Sequence, residues 1–546
     1  MSSTTTDLPH TCPICGCSMK TTFSRHERSP LISELLRCND PSSDVDLSDF
    51  QNTVRSGPRC LADLDEKIAQ AKEHLKTLIR QRSVLETNID DARTLSSPIR
   101  RIPSDVVRAI VLETIPSSYE VMNSTVQRNS LDNSESPWTL AQVSHRWRLA
   151  IVKAPEVWSS MSLVINHDEK TPLVARQMFM TGVRLERSHR FPLTVSLSSC
   201  ADVDISNHPL IFLISSRCSS IRNLRIDTSL ISYPAFSWWR GRLDQLCHLA
   251  FTTPFPLSSG PLSSGGEESV IDAFEYAPKL KTVTMRACDR FHFSFRFPWT
   301  QIVHLSLSIF DGNDIGTLRQ LKNLNSLHIA YEMSGLAVPA GHRPILISTL
   351  TSLTLTDLYV RAGPLPWPWH SRPRNVQIFS LLSIPNLTYL RLVSYGEFNM
   401  FPTIPALNAI TTLKLEFGGT AMSSMSADSD NEDILPELLT LLKSVSDLQH
   451  LIISSSSTTP SPYVVSPLVS LLVRMSLPHL RTLDLRGAVI TCNHARFVEM
   501  IKDRSRHPEM DQMETLYLHS PLTLGAVHAR MLQNLIDGGL KVVYGE

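Results

Sequence analysis

Leu387-Thr388-Tyr389-Leu390-Arg391-Leu392 sets an apolar residue at the start, a second at +3 and a third at +5. The same phrase recurs as Ile221-Leu224-Ile226, Leu246-Leu249-Phe251, Leu280-Val283-Met285, Ile302-Leu305-Leu307, Leu324-Leu327-Ile329 and Leu350-Leu353-Leu355. It returns as Ile410-Leu413-Leu415, Leu448-Leu451-Ile453, Leu480-Leu483-Leu485 and Met513-Leu516-Leu518, eleven occurrences in all. The last two apolar positions alternate as in a strand with one face buried, and the leading residue turns the chain into it. A strand that short cannot bury its apolar face alone. Stacking successive copies in parallel buries the whole row, so the phrase predicts a repeat body rather than a chain of separate domains.

This is the leucine-rich-repeat pattern, and the body it implies is an irregular α/β solenoid of parallel strands with helices and loops between them. Leading residues are 25, 34, 22, 22, 26, 37, 23, 38, 32 and 33 apart. The shorter intervals fit a repeat of about 20–29 residues, and the longer ones need inserted helices or loops. The asparagine expected after the strand is mostly replaced by Ser or Thr (Ser308, Thr356, Ser394, Ser454), which weakens that backbone ladder. Loops are expected at 254–266, 363–373, 418–433 and 454–462, which are rich in Ser, Gly and Pro. Trp367 and Trp369 are the most conspicuous aromatic candidates for a binding surface, the alternative being that they pack back on the solenoid flank. Ahead of the first phrase, 158–165 and 191–197 alternate like strands around a helical stretch at 173–185 and are expected to cap the open end of the stack.

Composition narrows the function. Lys+Arg and Asp+Glu both number 52, so the chain is formally neutral and lacks the basic surplus that phosphate binding needs. Neither a GxGxxG nor a GxxxxGK[ST] run occurs, nor a GxSxG elbow or an HExxH pair, so no cofactor-binding or catalytic motif is found and no enzyme is expected. His304, His328 and His450 lie in or beside repeat strands, where alternation turns them outward on the sheet. No membrane span or secretory signal is read. Ten cysteines in so long a chain do not suggest a disulfide framework, and a cytoplasmic or nuclear location is expected. Cys200, Cys218, Cys247, Cys288 and Cys492 read as scattered core or loop thiols.

Residues 1–57 read as a Cys-containing tail and linker. Cys12-Pro13-Ile14-Cys15 has the tight CxxC turn of a zinc site, with His26 (or His10) as third ligand and Cys38 as fourth; free thiols are the alternative. The stretch 40–58 is polar and reads as linker. From 58 to 96 a heptad helix is expected: Leu61, Ile68, Leu75, Arg82 and Ile89 interleave with Leu64, Ala71, Leu78, Leu85 and Ala92, nine of the ten apolar. At 1.5 Å per residue it spans about 50 Å. Its seam needs burial, either in a homodimer or on the body of the same chain.

Between helix and repeats lies 97–160. Ile102-Pro103-Ser104-Asp105 begins a helix with an apolar stripe at Val106, Val107, Ile110 and Val111, and Leu140, Val143, Trp147 and Ile151 mark a second. These segments resemble the F-box, whose pattern is Leu-Pro-x-Glu, an Ile, Val-Cys-x-x-Trp and Leu-Trp; here it reads Ile102-Pro103-Ser104-Asp105, Ile110, Val143-Ser144-His145-Arg146-Trp147 and Val157-Trp158. With Leu35-Leu36-Arg37, Asn39-Asp40-Pro41 and the heptad helix, residues 31–165 look like a large group of fungal F-box-like proteins. The polar stretch 117–137 departs from the pattern and reads as a disordered excursion. The resemblance implies a small all-α module that docks on the Skp-type adaptor of a cullin-type ubiquitin ligase through Ile102, Pro103, Val107, Ile110, Val143 and Trp147. The chain is then expected to be a substrate receptor whose repeats, within 161–546, hold an unknown target protein. The alternative is an interaction scaffold without ligase coupling.

Overall fold

The computed structural model describes residues 30–38, 41, 43–124, 128–166, 171–199, 204–228, 230–252, 270–286, 295–309, 317–331, 343–357, 379, 381–394, 409–417, 441–455, 477–486 and 494–545. It forms two units, 1–102 and 103–546.

The first unit holds α1 (Pro30–Cys38) and α2 (Asp44–Ser96), 53 residues that span about 80 Å. The expected linker at 40–58 is therefore corrected: the helix begins at Asp44 and passes through Pro58. A proline inside a helix removes one N–H and crowds the carbonyl four residues back, at a cost of about 3 kcal/mol. The heptad phase nevertheless continues upstream of the proline through Leu47, Phe50 and Val54 in step with Leu61 and Leu64. The Thr53 and Ser56 hydroxyls donate to the carbonyls of Asp49 (2.9 Å) and Asn52 (2.8 Å) in the turns before the proline. Exposed ion pairs Lys67–Asp63 (2.6 Å) and Arg82–Glu86 (3.0 Å) lie along the helix surface at i, i+4 spacing.

The second unit opens with α3 (Ser104–Thr114), α4 (Ser118–Asn123), α5 (His145–Val152) and α6 (Pro155–Ser159). Then come β1 (Ser160–Ile165), α7 (Thr171–Arg187), β2 (Leu193–Ser199), α8 (Pro209–Ser215) and β3 (Ile221–Asp227). The strands that follow are β4 (His248–Thr252), β5 (Thr282–Arg286), β6 (His304–Ile309), β7 (Ser326–Tyr331), β8 (Ile345–Leu346) and β9 (Ser352–Asp357). After them run β10 (Leu382–Ser383), β11 (Tyr389–Ser394), β12 (Thr412–Phe417), β13 (His450–Ser455) and β14 (Thr482–Leu485). The chain closes with α9 (His494–Arg506), β15 (Thr515–Leu518), α10 (Ala526–Asp537) and β16 (Lys541–Tyr544).

Fourteen of these strands form one sheet in chain order, with β8 and β10 paired separately; every pairing is parallel. All eleven phrases fall on strands of the large sheet, and their +3 residues stand in register: Leu224 beside Leu249, then Val283, Leu305, Leu327, Leu353, Leu390, Leu413, Leu451, Leu483 and Leu516. This row and the +5 row are buried, as are the leading residues. A second device fixes the register. The backbone carbonyl one residue after a leading position accepts two successive N–H groups from the next strand's start, as Asn325 does from Thr351 (3.0 Å) and Ser352 (3.1 Å). Thr351 does the same for Thr388 (3.0 Å) and Tyr389 (2.9 Å). Extra length between strands goes into the crossovers without shifting this register.

The strands and helix expected ahead of the repeats are present as β1, α7 and β2. The excursion at 117–137 is corrected: 117–124 and 128–137 are placed, and Ser117 and Glu120 close a reciprocal capping box on α4, with the Ser117 hydroxyl accepting from the Glu120 N–H and the Glu120 carboxylate from the Ser117 N–H (2.7 Å). Trp367 and Trp369 lie outside the described residues. Among the described residues, no helix is long and apolar enough to cross a membrane.

Candidate functional site

Of the six motif residues, Ile102 ends the first unit and is half-buried; the other five belong to the second. Val107 and Trp147 are buried where α3 packs on α5, whereas Pro103, Ile110 and Val143 are exposed. Val106 and Leu149 are exposed on the same two helices' outer surfaces. The helix pair therefore uses part of its apolar set as core and leaves the rest facing solvent. Ser144 caps α5, its hydroxyl accepting from the Trp147 N–H (3.2 Å), and Arg108 on α3 forms an ion pair with Glu156 on α6.

Trp158 fastens this helical group to the sheet. It is fully buried, donates its indole N–H to the Ile151 carbonyl (2.9 Å) and meets Trp138 edge-on at 5.0 Å. The Arg184 guanidinium lies 5.7 and 5.8 Å from the two rings and donates to the Ser160 carbonyl (2.8 Å). Burial lowers its pKa to about 10, so it still carries its charge at neutral pH, held by the rings and one carbonyl. Arg187 stands over Trp158 at 4.5 Å.

The second surface is the polar face of the sheet, opposite the buried rows. α4 lies on its first strands. The Ser118 and Thr194 hydroxyls share a hydrogen bond (3.1 Å), Arg225 donates to the Ser124 carbonyl, and Arg286 reaches Asn123 Oδ1 (3.4 Å). A cavity lies on either side, with Tyr119 and Asn123 in the wall of both. One, of about 320 Å³, is floored by Ser162, Ser196, Ser198, Arg225 and Asp227; the other, of about 300 Å³, is lined by Asn223, His248, Thr282 and Thr284. Asp227 Oδ2 accepts from Arg225 (2.7 Å), while its Oδ1 is buried without a hydrogen-bond partner among the described residues. Such an acceptor costs about 1–3 kcal/mol when left unmet, and a bound donor relieves that. No sequence motif announces this site; the signal was the Ser117-x-x-Glu120 capping box inside the insertion.

Hydrogen bonds run across the strands on this face. Asn223 donates to Thr194 Oγ1 (2.9 Å) and accepts at Oδ1 from His248 Nδ1 (2.7 Å). Further along, His328 lies between the hydroxyls of Ser306 (2.9 Å, Nδ1) and Thr356 (2.8 Å, Nε2). The three histidines singled out from sequence do lie on this face: His304 is exposed, and His328 and His450 are half-buried. Burial, with Arg286 and Arg391 adding positive field, lowers the His328 pKa from 6.5 to about 4.

The neutral ring is therefore favoured in the folded state, and between those two values the unfolded chain binds the extra proton. Stability from this residue is complete above about pH 6.5 and falls as pH drops towards 4, by roughly 3 kcal/mol in total. Urea unfolding of His328→Gln at pH 7 and pH 4.5 should show a smaller acid-induced loss than wild type; an equal loss would place the acid sensitivity elsewhere.

Cys218 is buried and Cys247 half-buried, both as free thiols; Cys200, Cys288 and Cys492 lie outside the described residues. Cys12, Cys15 and His26 also lie outside them, and Cys38 is an exposed free thiol. Among the described residues no cluster of three or more His, Cys, Asp or Glu is arranged to hold a metal. In comparisons with known proteins, the chain matches no family model and no curated protein.

Proposed function

We propose that the chain is an F-box-like substrate receptor: α3 and α5 dock on the Skp-type adaptor of a cullin-type ubiquitin ligase, and leucine-rich repeats hold a target protein. The observation that supports this best is the division of labour within the motif. Val107 and Trp147 build the core of the helix pair, and Pro103, Ile110 and Val143 remain exposed beside Val106 and Leu149. Apolar side chains left outward on a small helical group are what an adaptor groove covers. The repeat body supports the other half of the reading, because a long polar face with cavities at one end offers a protein-sized docking surface.

The mechanism needs no catalytic group. Holding the target and the ligase on one chain raises the effective concentration of target lysines at the transfer site. The test is retention of the full chain on immobilised adaptor. Wild type should bind, and Ile110→Asp with Val143→Asp should weaken binding at least tenfold while leaving the unfolding midpoint near wild type, since both positions are exposed. A folded wild type that is not retained would overturn ligase coupling and leave the scaffold reading. A zinc assay of the purified full chain, set against the Cys12→Ser/Cys15→Ser pair, separates a metal-binding tail from free thiols: one zinc per chain, lost in the variant, supports a site formed by Cys12, Cys15 and His26.

A further inference from the structure

α2 carries an apolar seam whose residues are exposed: Leu61, Ile68, Leu75, Leu78, Leu85 and Ile89 all face solvent. A 3.5-residue repeat of this length calls for a partner helix. We propose that the partner is α2 of a second copy of this chain, running antiparallel and centred on Ile79.

The argument rests on the flanks of the seam. With Leu61 as position a, the e positions are Asp65, Lys72, Ile79, Glu86 and Arg93. In an antiparallel pair the e flank of one helix faces the e flank of the other, and flanking charges decide orientation. Read against its own reverse, this flank sets Asp65 opposite Arg93, Lys72 opposite Glu86 and Ile79 opposite itself. Every charge meets its opposite, and an apolar residue stands at the two-fold axis. A parallel pair instead brings each g position towards the e position five residues on, which sets Lys67 against Lys72 of the other copy. It also stacks Arg82, an a residue, on its own copy, whereas the antiparallel arrangement sets a against d.

The helix's own breaks agree with this centre. Gly57, at a d position, and Pro58 weaken the seam on one side and the stop at Pro98 closes it on the other, and the midpoint of Pro58 and Pro98 is residue 78, next to Ile79. The exposed upstream seam residues Leu47, Val54 and Leu61 lie outside the overlap, which runs over 62–96.

Charge reversal on the full chain, read by sedimentation equilibrium, tests the proposal with opposite signs for the two orientations. Wild type should sediment as a dimer. Lys72→Glu places like charges opposite Glu86 and should raise the dimer dissociation constant at least tenfold, and adding Glu86→Lys should restore it. Ile79→Cys should form an intermolecular disulfide under mild oxidation in excess of that formed by wild type, because only the antiparallel pair brings residue 79 of both copies together. A wild type that stays monomeric at tens of micromolar would overturn the proposal. So would tighter association of Lys72→Glu, the result expected when Lys67 and Lys72 repel in a parallel pair.

Discussion

Leu390→Asp is expected to abolish the cooperative unfolding of the repeat unit. Leu390 lies on β11 between Leu353 of β9 and Leu413 of β12, and all three are fully inaccessible. Truncating a leucine in such a row costs about 2–5 kcal/mol. A carboxylate in its place adds several more, because the strands on both sides offer it only apolar neighbours. The sum is comparable to the whole net stability of an ordinary domain, about 5–15 kcal/mol. Each strand here meets only the strands beside it, so the damage should divide the sheet at β11 and not soften it evenly. Hydrogen exchange should show protection lost first on β9, β11 and β12. Leu390→Met keeps the volume and should cost less than about 1.5 kcal/mol. An aspartate variant within 1 kcal/mol of wild type in urea unfolding would mean that the row is not buried.

Trp158→Ala should be the next most damaging change, by about 3–5 kcal/mol. The substitution empties a large buried volume beside Trp138 and leaves the Ile151 carbonyl without its indole donor. It also takes one of two aromatic faces from Arg184, whose charge would remain buried with the Trp138 ring and the Ser160 carbonyl. Uncompensated buried charge makes this truncation worse than its lost area alone. Because α6 carries Trp158 and runs directly into β1, the helical group should loosen from the sheet. Exchange of α5 and β1 amides should accelerate while β11 to β14 stay protected. Trp158→Phe keeps most of the ring contact and should recover about half of the loss.

The eleven strands were legible because each carries its own apolar signature and the same geometry recurs. The start of α2 was not, because Pro58 and the polar run before it read locally as a break; the continuing phase of Leu47, Phe50 and Val54 is visible only when the heptad is carried through the proline. α4 was missed for a related reason. Its six residues bury little beyond Val121, and what holds it is a capping box and hydrogen bonds to Thr194, Arg225 and Arg286, which lie at least 70 positions away in the chain. The His328 network is equally opaque from sequence, since Ser306 and Thr356 become its neighbours only once the strands are in register. In the motif, which residues are core and which are surface depends on how α3 packs on α5, and spacing alone did not separate Val107 from Ile110.

The regular register of the sheet from β3 to β15 has a consequence for anything laid across its polar face. Strands succeed one another about every 4.8 Å, while an extended polypeptide advances about 3.4 Å per residue. The two periods are incommensurate over short distances and coincide only near 24 Å, at about every seventh residue and every fifth strand. The sheet therefore acts as a vernier: a linear segment crossing it meets equivalent geometry at widely spaced anchor points, and side chains between them fall out of step with the strands beneath.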